Sequence, residues 1–293
     1  MIVDVHTHNL LPEHWGSEHK ENWEPAYGAP YPTITPSQYD AAMQAAGIDV
    51  AIVFGLAASR AGVHTPNSYV ADFCAKVTTP TIAFTAIDPL DANWREQLEE
   101  AQSLGFHGVK LYPVLSLFDP LAPEFEDFYR FLLKHRLVVL WHMGATPSPQ
   151  GRLSLSQPLI VEEVARRYPD LVQIMAHMGH PWQREANIVL RKHKNVFADV
   201  SASWSRPMDG FLALVHAQEW AVTDKLLFGS DYPLWEPKAA IEQFTGLADL
   251  RAGNLPHVLE ETVQGIIHRD ALQLLGLDHP RPNTHRPASW QTS

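Results

Sequence analysis

Two kinds of hydrophobic pattern alternate along nearly the whole chain. Short runs rich in β-branched and other apolar residues recur at residues 2–5, 49–55, 81–87, 108–111, 137–141, 171–176, 196–200 and 225–229. Most are continuous rather than alternating, as in parallel strands covered on both faces. Between them lie segments punctuated like helices. Residues 37–46 stop at Gly47, which suits a left-handed C-terminal position. Asn67 stands before residues 68–76, where it can cap a helix. Residues 91–104 end at Gly105, residues 123–134 and 158–168 open on proline, and Pro169 stops the latter. Residues 183–193, 209–219 and 236–248 complete the set. Eight strands, each followed by a helix, predict a single parallel (β/α)8 TIM barrel over residues 1–278.

Three stretches fall outside the repeat. Residues 9–35 form a long first loop carrying His14, Trp15, His19 and Trp23, and loops of this length are commonly functional. Residues 255–277 add helices after the eighth strand. The tail from His279 to Ser293 is rich in proline and polar residues, and is predicted to be irregular and to pack on the barrel or on a partner subunit.

Composition narrows the function. At 45% hydrophobic and 19% charged, the 293 residues have ample material for a core. A net charge of −11 argues against non-specific nucleic-acid binding, which needs basic patches. Cys74 is the single cysteine, so an internal disulfide and a cysteine-rich zinc site are both excluded; it falls in a predicted helix, as an inert core residue. The opening MIVDVHTH lacks the basic and apolar regions of a signal peptide. The longest apolar stretch, residues 50–58, is far short of the ~20 residues of a membrane span. A cytoplasmic protein with no membrane partner is expected.

Sixteen histidines stand beside only 22 Lys and Arg. Barrel active sites lie at the C-terminal ends of the strands, so those ends are where a role is sought. His6 and His8 follow the first strand as His-Thr-His, and a period of two puts both on one face. Lys110 lies in GVKLYP, His142 in LWHMG, His177 in AHMGHP and Asp231 in FGSDYP. Each alone has an ordinary explanation: an incidental pair, a core histidine, a turn residue before Tyr-Pro, a salt-bridge partner. Their coincidence at strand ends points to a metal site. The mix of imidazole and carboxylate suits Zn2+, Mn2+ or Fe2+ better than Mg2+ or Ca2+.

The same set resembles that of the amidohydrolase superfamily. GVKLYP, AHMGHP, FGSDYP and a last helix ending in LQLLGL are similar to its amidohydrolase-related branch, which includes aminocarboxymuconate-semialdehyde decarboxylase, the resorcylate-type decarboxylases and many short hydrolases. The resemblance runs from Met1 to about Leu277, and departs at Arg269-Asp270-Ala271, where the branch often has Gly-Asn-Ala. It implies a divalent metal, Zn2+ first, in one of two arrangements. In one, His6, His8, His142 and Asp231 hold a single ion and His177 is an acid/base or substrate-polarising group. In the other, a carboxylated Lys110 bridges two ions and His177 is a ligand. A single ion is the expectation, because lysine in this phrase is common in the branch without bridging.

The resemblance also implies a reaction class. We expect hydrolysis of a C–O or C–N bond in a small, carboxylate-bearing molecule, with Asp231 taking a proton from metal-activated water. The runner-up is non-oxidative decarboxylation of an aromatic or unsaturated acid, with protonated Asp231 or His177 delivering the proton. Metal-free lactone hydrolysis and a barrel that binds a metabolite without turnover are further alternatives. For substrate contacts, Arg60 and Arg206 can grip a carboxylate or sit in surface ion pairs. Trp204 and Trp235, with Trp15 and Trp23, can line a pocket or anchor loops. His180, beside Pro181, is expected near the site. Relatives are often homodimers, so a second copy is the expected macromolecular partner.

Overall fold

The structure, a computed structural model, describes residues 1–280, apart from the side chains of residues 18 and 19. The predicted tail therefore lies, from residue 281, outside the described residues. Eight parallel strands follow one another around a ring: β1 (Val3–His8), β2 (Val50–Phe54), β3 (Thr81–Ala86), β4 (Gly108–Leu111), β5 (Val138–Trp141), β6 (Gln173–Met175), β7 (Val196–Asp199) and β8 (Leu226–Leu227). The ring closes where the chain beyond β8 meets β1. Val5 N donates to Phe228 O (3.0 Å), Asp231 N to His6 O (2.8 Å) and His8 N to Tyr232 O (2.6 Å). All eight predicted strands are present, and the fold is the expected (β/α)8 barrel.

Continuous apolar strands fill both sides of the ring. Val3, Val5, Ile52, Phe54, Phe84, Leu140, Ile174, Phe197 and Leu227 make a core inside it. Val109, Leu111, Val139, Met175 and Ala198 face outward into a larger core shared with the helices. Each fully buried large side chain contributes roughly 1.5–3 kcal/mol, so the barrel is a packed body and not a pore.

The helices are α1 (Ser17–Tyr27), α2 (Pro36–Ala46), α3 (Asn67–Lys76), α4 (Trp94–Ser103), α5 (Pro113–Ser116), α6 (Glu126–Lys134), α7 (Pro158–Arg167), α8 (Gln183–Lys192), α9 (Pro207–Glu219), α10 (Pro237–Gly246), α11 (Glu260–Ile267) and α12 (Ala271–Leu275). Thr35 and Gln38 cap α2 reciprocally, with Pro36 in its first turn and Gly47 left-handed at its end (φ 69°). Asn67 does not cap α3. Pro66 occupies that position, and the Asn67 side chain instead donates to Gln97 O and Glu100 Oε2 (both 2.9 Å) and accepts from the Thr85 hydroxyl (2.6 Å). Ala271, Leu272 and Leu275 of α12 pack against the inner core, and Asp270 caps the helix through Gln273 N (3.0 Å). Aspartate, which stands at this departure from the branch's pattern, is among the residue types that favour a helix N-cap.

The long first loop is not irregular. It contains α1, which has a proline (Pro25) inside it and no strong apolar stripe. Trp15, Trp23 and Tyr31 pack with Leu10, Leu56, Val63 and Val114 into a small separate core over the barrel mouth. That core includes part of a two-stranded ribbon, Ala57–Ala58 against Val63–His64, which the sequence pattern did not predict. No described helix is long and apolar enough to cross a membrane.

Candidate metal centre

The site is built from strand ends. A register shift in β1 between Asp4 and Thr7 lets the strand place Val3 and Val5 in the inner core and still turn His6 and His8 inward, where both rings lie against Phe54 (centroids 5.2 and 4.6 Å). Gly229 makes room for this: a Cβ there would lie 2.7 Å from the Cβ of His6. Asp231 reaches the same space from beyond β8 by adopting a left-handed conformation (φ 61°), uncommon for a residue with a side chain. His177, after β6, is left-handed too (φ 57°). Such backbone costs on the order of 1–3 kcal/mol each and clusters at functional positions.

Three donor atoms converge. His6 Nε2 lies 3.1 Å from His8 Nε2 and 3.4 Å from Asp231 Oδ1, and His8 Nε2 is 3.2 Å from Asp231 Oδ1. Metal bonds of about 2.0–2.1 Å, spread between octahedral and tetrahedral angles, separate neighbouring donors by about 2.9–3.4 Å, so the three fit one ion. The protonation pattern fits as well. His6 Nδ1 donates to Asp199 Oδ2 (2.9 Å), which leaves its Nε2 as a bare lone pair facing a carboxylate. His8 Nδ1, by contrast, is buried with no hydrogen-bond partner among the described residues.

The electrostatics keep His8 and Asp231 unprotonated. Burial pushes His8 down to about 3 and His177 to about 4, and His6 and Lys110 add to the effect on both. Burial, then His177 and Lys110, hold His142 well below the ordinary imidazole value. Burial alone raises Asp231, but His6, His8 and His177 outweigh it and hold the carboxyl below its usual range. Lys110 is buried with its Nζ 3.5 Å from His6 Nε2 and 4.9 Å from the Phe54 ring centre, and burial lowers it to about 8.

The other predicted residues divide. His142 borders the same space, 5.2 Å from the His177 ring and 4.1 Å from Tyr112, but its Nε2 is 3.1 Å from Ala145 O and it is not in the three-donor cluster. His142, His177, His180, Arg206, Trp235, Trp15 and Trp23 all line a cavity of about 490 Å³ above the cluster, with His8 and Asp231 at its floor. Tyr27, Tyr31 and Tyr112 extend its aromatic wall. His180 is held by Asp209 (2.9 Å), which also accepts from Gln183. Arg60 is not brought to the cavity. The chain leaving β2 enters the ribbon, so Arg60 stands exposed on the short turn Ser59–Ala61. Trp204 is not a lining residue either; its turn points it back into the core, against Phe244 of α10 (6.3 Å). His14 is buried beside Tyr69 and accepts from Leu11 N (3.0 Å), and the side chain of His19 lies outside the described residues. Cys74 on α3 is pushed up to about 11 by burial and is no thiolate at neutral pH.

Two residues at the heart of the site escaped the sequence reading. Asp199, the last residue of β7, is fully buried and bonds His6, and Ser201 bonds both Asp199 and His177 Nδ1 (2.8 Å to the latter). The available signal was periodicity: Phe197 points inward, so Asp199, two residues on, must as well.

A model of the amidohydrolase family matches residues 3–277. The chain belongs to the amidohydrolase family. It is an enzyme of that superfamily. No curated protein matches it by sequence. Among solved structures, it is similar to a probable 2-pyrone-4,6-dicarboxylic acid hydrolase from Acinetobacter baumannii with citric acid bound (16% identity, 94% of this chain and 99% of that one, TM-score 0.64). It is similar to a 2,6-dihydroxybenzoate decarboxylase bound to 2,6-dihydroxybenzoate (18%, 94% and 99%, 0.64). It is similar too to a 5-carboxyvanillate decarboxylase from Novosphingobium aromaticivorans with manganese and a nitrobenzoic acid (16%, 94% and 96%, 0.63). At these identities the likeness is one of fold. Family membership and the His6–His8–Asp231 cluster together support a divalent metal and a small-molecule substrate.

Proposed function

We propose that this amidohydrolase is a metal-dependent hydrolase acting on a C–O or C–N bond of a small, carboxylate-bearing molecule. His6, His8 and Asp231 hold one ion, Zn2+ or Mn2+, and His142 at the same rim is the fourth candidate donor. When bound, the ion supplies Lewis acidity and brings the pKa of water to about 7. Asp231, held ionised, accepts the proton of the attacking water and passes it to the leaving group. His177, neutral and with Nδ1 committed to Ser201, presents Nε2 to the cavity to orient the water or the substrate oxygen. Arg206 and His180, on the cavity wall, are the candidate contacts for a carboxylate.

The observation that favours hydrolysis is that neither Asp231 nor His177 is a ready proton donor. Decarboxylation needs one for the ring carbon, yet Asp231 and His177 are both held below their ordinary values, and a nearby cation lowers them further. A specific feature keeps decarboxylation as second reading: the wall of Trp15, Trp23, Tyr27, Tyr31, Tyr112 and Trp235 suits a planar ring, and two neighbours in fold are decarboxylases by name. The test is to incubate metal-loaded protein with lactones, esters, amides and aromatic acids and to measure hydrolysed product and CO2 separately. Chelator-sensitive hydrolysis supports the proposal. Release of CO2 from an aromatic acid without hydrolysis overturns it in favour of decarboxylation, and hydrolysis that survives chelator overturns the role of the metal.

A further inference from the structure

We infer that Asp199 is a positioning residue that sets the tautomers of two imidazoles at once, His6 directly and His177 through the Ser201 hydroxyl. The inference rests on the metal-centre reading only for why the arrangement matters, not for its geometry.

Both oxygens of Asp199 are committed. Oδ2 accepts from His6 Nδ1 (2.9 Å). Oδ1 accepts from the backbone N–H of His177 (3.1 Å), from that of Ser201 (3.0 Å) and from the Ser201 hydroxyl. An ionised carboxylate only accepts hydrogen bonds, so the hydrogen shared with His6 sits on Nδ1 and the Ser201 hydrogen points at Asp199. With its hydrogen so placed, Ser201 Oγ accepts from His177 Nδ1 at 2.8 Å. Both rings are thereby fixed with the proton on Nδ1 and the lone pair on Nε2. For His6 that lone pair faces His8 and Asp231; for His177, a cavity-lining residue, it is on the nitrogen not bonded to Ser201. His6, His177 and Asp199 also have donor atoms within 4.8 Å of one another, and with the hydrogens just assigned the Nδ1 atoms of both rings are donors and not free to bind an ion. Glycine at 229 permits the close approach, since a Cβ there would press on the Cβ atoms of both His6 (2.7 Å) and Asp199 (3.4 Å). One carboxylate thus couples the basicity of a metal-facing nitrogen to the orientation of the proton-handling ring.

The test uses three variants that separate the branches. Protein labelled with 15N at histidine, metal-free, reports ring tautomers by long-range 1H–15N correlation, and Zn2+ affinity is read by competition with a chelating dye. In wild type, His6 and His177 are both expected as Nδ1–H tautomers. In Ser201→Ala, His177 loses the Nδ1–H preference while His6 keeps it, and Zn2+ affinity stays within about threefold. In Asp199→Asn, both rings lose it and Zn2+ affinity falls about 10–100-fold. Rescue in Ser201→Thr, which restores the hydroxyl, separates positioning from a general structural role. An unchanged His177 tautomer in Ser201→Ala overturns the inference, as does an unchanged His6 tautomer in Asp199→Asn. If Asp199→Asn fails to fold, the Ser201 variants decide alone. Wild type that binds no Zn2+ yet shows both tautomers overturns the metal reading and leaves this inference standing.

Discussion

Asp231 meets His8 at 3.2 Å and His6 at 3.4 Å, and no other carboxylate among the described residues does both. Replacing it by asparagine keeps the shape and removes the base, so Asp231→Asn should lower kcat by about 10²–10⁴-fold with little loss of fold, measurable by steady-state kinetics and circular dichroism. Acidity should act on the fold through the same residues. His8 and His177 are held at about 3 and about 4 in the folded protein against an ordinary 6.5. Between those values the unfolded chain binds more protons, so the stability they contribute is full above about pH 6.5 and is lost as pH falls through 4 and 3. Asp4, raised by burial from 3.8 to about 6, has the opposite sign: its contribution is full below 3.8 and is lost as pH rises through 6. Two imidazoles outweigh one carboxylate. Urea unfolding of the metal-free protein should therefore show lower stability at pH 5 than at pH 7.5, by on the order of 2 kcal/mol. At this scale His6 and His8 were legible because a period of two survives the register shift in β1. Asp199 was not, because a carboxylate closing an apolar strand reads as the start of a turn. Whether Arg60 and Trp204 would line the cavity was not legible, because sequence gives the position of a loop residue along the chain and not the direction its loop takes.

Among elements, the eight strands and the helices that follow them were readable because apolar runs, glycine stops and proline starts all agree. Of the elements that escaped, which include the two-stranded ribbon, the longest is α1. Its sequence, SEHKENWEPAY, carries Pro25 and no consistent apolar stripe, and it is held by tertiary packing of Trp23 against Trp15 (5.2 Å) and Tyr31 (5.2 Å). Trp23 thus serves both the small core and the cavity wall. Trp23→Ala should destabilise by about 3 kcal/mol, read by thermal or urea unfolding, and raise KM more than it lowers kcat. The turn after β8 invites a second test. Gly229→Ala puts a methyl group against His6, so it should cost about 1–3 kcal/mol and weaken Zn2+ binding, while a distant glycine such as Gly246, whose added Cβ meets nothing within 4 Å, should tolerate alanine.

For the whole molecule, the position of the cluster at the seam matters. β1 and the segment after β8 come from opposite ends of the barrel in sequence, and they are joined by three backbone hydrogen bonds as well as by the converging donors. An ion held by His6, His8 and Asp231 would staple that seam. It should stabilise the protein by RT ln(1 + [L]/Kd), about 2.7 kcal/mol at one hundred times Kd, and chelation should lower Tm accordingly. The most direct measurement of the central claim is calorimetric titration of the metal-free protein with Zn2+, repeated on Asp231→Asn. The account predicts one ion per chain in the wild type and an affinity at least tenfold weaker in the variant. Wild type that takes up no ion, or a variant that binds equally well, would contradict it.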